Sequence, residues 1–272
     1  MSKIRNKCKL IHVIAVVTYK EWAAYRTHSL VSVLVGPLVF LVQLSITRVI
    51  FTQNDQIAGM DFAGMIAYFA VSSLISYLTM DFADWNLQML IHTGKYLTFS
   101  LRPLHHRFFA LSQKLGHRTL GFLFEFLPVW LIFLFLFRIP LYPASWLWSL
   151  LSIALGFLMQ FYINYTIGLT GFWLVKTGSL RHIIQILTSL CSGALLPLVF
   201  FPTAIQQIIF FLPFQFTLFV PSMVFLGSYR LGHFTLELPH IVGIQALYVV
   251  GILLVSELVY RAGMKRFTAV GA

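Results

Sequence analysis

The chain has 272 residues, 59% of them hydrophobic and 10% charged, against roughly 25% charged in an ordinary soluble domain. No long stretch carries the mixed charge that a water-facing domain needs, so a soluble catalytic unit would have to belong to another chain. The formal net charge of +11 does not point to nucleic acid, because the basic residues are spread between apolar runs rather than gathered with stacking aromatics. That spread suits short loops held at an anionic membrane leaflet.

The start, MSKIRNKCKLIHVIAVVTYKEW, has a basic region and a short apolar run interrupted by Lys20 and Glu21. No small-residue cleavage pattern follows, so the expectation is a retained segment, not a signal peptide. Leu10, Ile14, Val17, Trp22 and Tyr25 fall among Lys9, Lys20 and Arg26, which predicts an amphipathic helix on the membrane surface. Val13 and Val16 blur the apolar face, and an irregular tail is the alternative.

A membrane-spanning helix needs about 20 mostly apolar residues, and the charges mark out such runs. Uncharged stretches lie between Arg26 and Arg48, between Asp61 and Asp81, and between Glu237 and Glu257. A further run between Arg118 and Arg138 is broken only by Glu125. Pro140 and Pro143 suit a turn before a helix beginning near Ala144. The stretch from His182 to Tyr229 has no Asp, Glu, Lys or Arg but contains Pro197, Pro202, Pro213 and Pro221. It is too long for one span.

The distribution of positive charge chooses between six spans and seven. Six spans put sixteen of the nineteen Lys and Arg on the cytoplasmic side and leave Arg48, Arg138 and Arg230 outside. The expected fold is therefore an all-α membrane protein with six transmembrane helices and both termini cytoplasmic. Residues 1–28 form the tail and interfacial helix, and residues 29–272 a single transmembrane domain with spans at 29–51, 62–82, 119–138, 144–173, 183–200 and 241–260. Pro202 to Phe225 reads as a re-entrant or interfacial hairpin on the outer side, broken at Pro202, Pro213 and Pro221.

Signals for chemistry are weak. A phosphate-binding loop needs G-x-x-x-x-G-K-[ST], but around Gly94-Lys95-Tyr96 the first glycine is replaced by Met89 and the hydroxyl position by Tyr96. His105 and His106 are adjacent and diverge on a helix, so zinc is not expected. Ser192 beside Gly193 reads as a small-residue helix contact rather than a nucleophile. Cys8 and Cys191 lie in unlike surroundings and should not form a disulfide. Glu125 is the intramembrane charge; it either pairs with a basic residue on a neighbouring helix or belongs to a proton or cation pathway. Asp81, Asp84 and Glu257 sit at helix ends, solvated or paired with loop cations.

Two segments carry a resemblance. WNLQMLIHTGKYLTFSLRPLHHRFFALSQKLGHR contains an I-x-x-G-x-x-x-x-x-L-x-R-P pattern at Ile91, Gly94, Leu101, Arg102 and Pro103. It resembles the cytoplasmic loop of ABC-2-type permeases, the membrane subunits of bacterial ABC exporters. SGALLPLVFFPTAIQQIIFFLPFQFTLFVPSMVFLG looks like the stretch after that family's fifth span, through Pro202, Leu212, Pro213, Phe214 and Pro221.

The resemblance implies a permease subunit in the bacterial cytoplasmic membrane, forming half of an export pathway with a second permease, identical or homologous. Two separate ATPase subunits would energise it, with ATP and magnesium bound there and no cofactor on this chain. The loop 84–118 would act as a cytoplasmic coupling helix, through Gly94, Lys95, Tyr96, Leu97, Arg102 and Pro103, with Leu90 and Phe99 as further apolar knobs. The outer hairpin would gate the path, with Pro202, Phe211, Pro213, Phe214 and Pro221 in that role. A secondary transporter or channel is the rival reading and would favour paired intramembrane acids or an inverted repeat. A membrane-embedded enzyme would need a polar catalytic cluster.

Overall fold

The computed structural model describes residues 13–14, 16–17, 26–52, 55–57, 59–101, 105–174 and 178–266. The expected surface helix over 9–26 lies outside these residues, except that Val13, Ile14, Val16 and Val17 are helical. The long helices are α1 (Arg26–Ile50), α2 (Phe62–Thr79), α5 (His106–Gly121) running on into α6 (Leu127–Phe135), α7 (Trp146–Leu169) and α11 (Leu238–Met264). Between them lie the short helices α3 (Ala83–His92), α4 (Leu97–Ser100), α8 (Gly178–Cys191), α9 (Thr203–Phe210) and α10 (Phe219–Leu226). Two small antiparallel hairpins, β1 (Gln56–Ile57) with β2 (Met60–Asp61) and β3 (Tyr229–Leu231) with β4 (Phe234–Leu236), close the opposite end from α3.

Among the described residues, five helical stretches are long and apolar enough to cross a membrane: Val33–Ile50, Phe62–His92, His106–Phe135, Trp146–Phe172 and Leu238–Met264. The helix of the third runs back to His106, before residue 119, from which the charge spacing counts the span. Lys114 and Arg118 extend the helix instead of ending it, because Asp81 pairs with Lys114 and the Tyr77 carbonyl accepts from Arg118. Between α5 and α6 the helix widens into a π turn at Phe122–Phe126. Pro128 follows, with no N–H for the carbonyl of Phe124 and a ring that would press on it, and a widened turn relieves that clash.

Within the expected span at 183–200 the helix is interrupted. Helix α8 ends at Cys191 after 14 residues, about 21 Å at 1.5 Å per residue and short of a hydrocarbon core of about 30 Å. Ser192 and Gly193 do not continue the helix. Gly193 takes a φ of +81°, and its carbonyl accepts from the buried Tyr68 hydroxyl at 2.8 Å. A Cβ there would sit 2.5 Å from that hydroxyl, so both the turn and the close approach require glycine. A 3₁₀ turn at Leu198–Phe200 completes the segment.

The chain then folds through α9, a 3₁₀ turn at Pro213–Thr217, and α10. Pro202 precedes α9 and Pro213 opens the 3₁₀ turn, as helix breakers should. Pro221 does not break helix: it sits in the first turn of α10, where its missing N–H has no intrahelical partner to lose. Its ring packs against Gly156 of α7, where a Cβ would come within 3.0 Å of Pro221 and 3.1 Å of the Thr217 carbonyl.

Three buried glutamines hold this irregular backbone inside the bundle. Gln206 donates to the Val199 carbonyl at 2.9 Å. Gln215 donates to Phe210 at 2.7 Å and accepts from the Tyr229 hydroxyl at 2.8 Å. Gln245 of α11 donates to the carbonyls of Phe216 at 2.9 Å and Ser152 at 3.0 Å, and accepts from the Ser152 hydroxyl at 2.7 Å. Each satisfies a carbonyl that a broken helix leaves open, in a place where water cannot. Gln245→Leu should therefore cost about 1–3 kcal/mol, read as earlier thermal unfolding, whereas Leu247→Ala on the exposed face of α11 should leave the melt unchanged.

Candidate functional site

The first candidate is the platform formed by α3, α4 and the start of α5. Gly168 and Gly171 at the end of α7 let α3 lie directly on that helix, since a Cβ on Gly168 would meet the Leu87 side chain at 3.0 Å and the Asp84 backbone at 3.1 Å. Gln88 donates to the Ile167 carbonyl at 3.3 Å, and His92 bonds the Leu174 carbonyl at 3.0 Å. Leu87 and Ile91 are buried underneath. Gly94 ends α3 with a φ of +72°, a left-handed turn in open space.

Beyond that turn Tyr96 does not face outward as a free apolar knob. It is 2% exposed, edge-on to Phe172 with ring centroids 5.3 Å apart and tilted against His106 at 5.4 Å. Its hydroxyl hydrogen-bonds with Tyr260, and burial pushes the phenol pKa up. Phe99 turns inward too, with its ring 4.8 Å from His106 and 5.2 Å from Phe109, and Leu90 is half-buried. Leu97 is 42% exposed and Leu101 81%, while Lys95 is exposed beside them. Trp85 and Met89, which the sequence did not single out, complete the exposed apolar strip. Their spacing of four residues on α3 is the signal that could have found them. Arg102 and Pro103 lie outside the described residues.

Ion pairs tie this platform to the bundle. Asp81, between α2 and α3, meets Lys114 of α5 at 2.9 Å. Asp84 of α3 pairs with Arg181 of α8, and Arg107 of α5 with Glu257 of α11. Asp81 and Asp84 are buried, so cations on the helices α5 and α8, and not water, neutralise them. Lys114 also lies over the Phe82 ring at 5.3 Å and Arg181 over Trp85 at 5.2 Å. Glu125 is buried in the π turn. Its carboxylate and the Arg118 guanidinium close over Gly121, within 3.2 and 3.6 Å of where a Cβ would be. The Arg118 guanidinium of the same continuous helix is thus one cation close to Glu125.

The second candidate is a cavity of about 510 Å³ lined by residues of α1, α2, α7 and α8 and by Thr217 and Leu218. Ser72, Ser73, Ser76, Thr188, Ser189 and Ser192 give it a hydroxyl-rich wall. Sequence reading missed it, although Ser72, Ser76 and Thr79 recur at i, i+4 and i+7 inside an uncharged run. Of the hairpin residues, Phe211 is exposed, Phe214 packs against the core and Pro221 is buried. Among the described residues no group of three or more His, Cys, Asp or Glu could hold a metal ion, and Cys191 is a free thiol.

A family model described as "ABC-2 family transporter protein" matches residues 38–271. Comparison with curated proteins and with solved structures returns no match.

Proposed function

We propose that this chain, which belongs to the ABC-2 family of transporter proteins, takes its energy from two separate ATPase subunits and pairs with a second permease to form an export path. The family makes it a multi-pass membrane permease component of an ABC transporter, and the match over residues 38–271 is the observation that carries the reading. ATP and magnesium belong on the ATPase subunits, and the chain alone turns over no ATP. It lies in a bacterial cytoplasmic membrane.

The platform supports a coupling role. It is docked on the bundle by its inner face and presents Trp85, Met89, Leu97 and Leu101 with Lys95 to solvent, the mixed surface that an apolar groove on a partner needs. Gly94 sets its turn, Tyr96 anchors it from beneath, and Arg102 and Pro103 continue the same loop. Six crossings with cytoplasmic termini fit the charge distribution. Helix α8 with its extension through Phe200 serves as the fifth crossing. Residues 202–226 then form a re-entrant gate, with Pro202, Phe211, Pro213, Phe214 and Pro221 shaping it.

Two measurements test this. Met264→Cys should be labelled by an impermeant maleimide only in opened cells, and Arg138→Cys in intact ones; outside labelling at 264 would overturn the topology. The chain purified free of ATPase should show no ATP turnover, and co-expression with an ATPase subunit should give a co-purifying, ATP-hydrolysing complex. Hydrolysis by the chain alone, or no complex at all, would reject the permease reading.

A further inference from the structure

Building on the permease reading, we propose that the cavity between α1, α2, α7 and α8 binds an uncharged amphiphile with a polyhydroxylated head, a ligand of the neutral glycolipid class. Its volume of about 510 Å³ lies within the roughly 300–1,000 Å³ of small-molecule sites. None of its described lining residues is Asp, Glu, Lys, Arg or His. A charged head group brought here would lose water with no charged side chain on that lining to offset the loss.

Part of the polar wall has its hydrogens already committed. Ser72 donates to the Phe69 carbonyl at 3.1 Å, Ser76 to Ser73 at 2.6 Å, Thr79 to Ile75 at 3.2 Å and Thr217 to Phe214 at 2.7 Å. Gln160 gives an amide hydrogen to Asn164 at 3.2 Å. With these hydrogens committed to the protein, the four hydroxyl oxygens and the Gln160 carbonyl oxygen keep lone pairs for a ligand, while Ser73, Thr188, Ser189 and Ser192 on the same wall can donate. A wall of both acceptors and donors suits a polyhydroxylated head, because each sugar hydroxyl donates and accepts without charge.

The remaining lining is apolar: Val35, Val39, Met80, Ala194 and Leu218. Val35 and Val39 are also exposed on the flank of the bundle. The cavity therefore reaches the lipid-facing side along α1, where an acyl chain can stay in the bilayer while the head enters.

The test uses the full chain in phosphatidylcholine nanodiscs, with Cys8→Ser and Cys191→Ser, carrying Ser189→Cys or, on the facing helix, Ser76→Cys. Monoglucosyl diacylglycerol should slow maleimide alkylation of either introduced thiol by about tenfold. Phosphatidylglycerol and dodecyltrimethylammonium should not. Gln160→Leu should remove the protection and leave the rate without glycolipid unchanged. Absence of slowing at both positions, equal slowing by a charged amphiphile, or protection retained in Gln160→Leu would overturn the assignment. The assay contains no ATPase and no ATP, so its failure removes this ligand class and leaves the permease reading to the co-purification experiment.

Discussion

Met89→Asp with Leu97→Asp is expected to abolish co-purification of the ATPase subunits while the permease still inserts and folds. Both side chains stand on the exposed face of the platform, so in the free chain the new carboxylates remain in water and cost little. In a complex each must be buried against an apolar groove. The effective penalty is several kcal/mol per unpaired charge, so two together weaken association by about 10⁴-fold or more. Insertion depends on the uncharged runs, here Asp61 to Asp81, and on the loop cations, none of which changes.

Tyr96 would be the wrong residue for this experiment. Its ring is packed among Phe172, His106 and Tyr260, and Tyr96→Asp would unseat the platform and lose the partner for a structural reason. Leu101, the most exposed of the apolar strip, provides a third position: Leu101→Asp should reduce binding in a chain whose platform is intact. Co-purification and ATP-driven transport in vesicles are the readouts. Wild-type association and transport in the double variant would exclude this surface as the coupling element.

The helical, multi-pass character of the chain was legible because desolvated charge is costly: Arg26, Arg48, Asp61, Asp81, Glu237 and Glu257 bracket helix-length runs. The same rule does not give the helix end at Lys114 and Arg118. A charge ends a helix only when water is its best partner, and here Asp81 and the Tyr77 carbonyl take that place. The break after Cys191 was illegible because it depends on Tyr68, 125 residues away, reaching the Gly193 carbonyl. The loop's apolar content pointed to a docked surface, but which residues face inward is decided by Gly168 and Gly171 on another helix. Apart from Ser192, the serines of the cavity were passed over because each, alone, is a tolerated residue in a helix, and only their shared face gives them meaning.

Asp81→Ala is expected to destabilise the chain by about 3–5 kcal/mol, because it removes one partner of a buried ion pair and leaves the other charged in the interior. The Asp81 side chain has no exposed surface and that of Lys114 is 9% exposed. Asp81 also accepts from the Ala83 N–H at 3.0 Å and from the Asn164 amide at 3.3 Å, so three elements lose a common anchor. The exposed pair between Arg261 and Glu257 makes a useful contrast. Arg261 is 72% exposed, and Arg261→Ala should cost no more than about 1 kcal/mol. Asp81→Asn with Lys114→Met removes both charges while keeping an acceptor for Ala83, and thermal unfolding should return most of the way to wild type. The cycle built from Asp81→Asn, Lys114→Met and the double variant then isolates the pairing energy from loss of the side chains. If the pair also transmits platform movement to α5, the double variant should be stable yet transport less per ATP hydrolysed in vesicles. An Asp81→Ala melt equal to wild type would reject the pair as an anchor, and full coupling in the stable double variant would reject it as a transmission element.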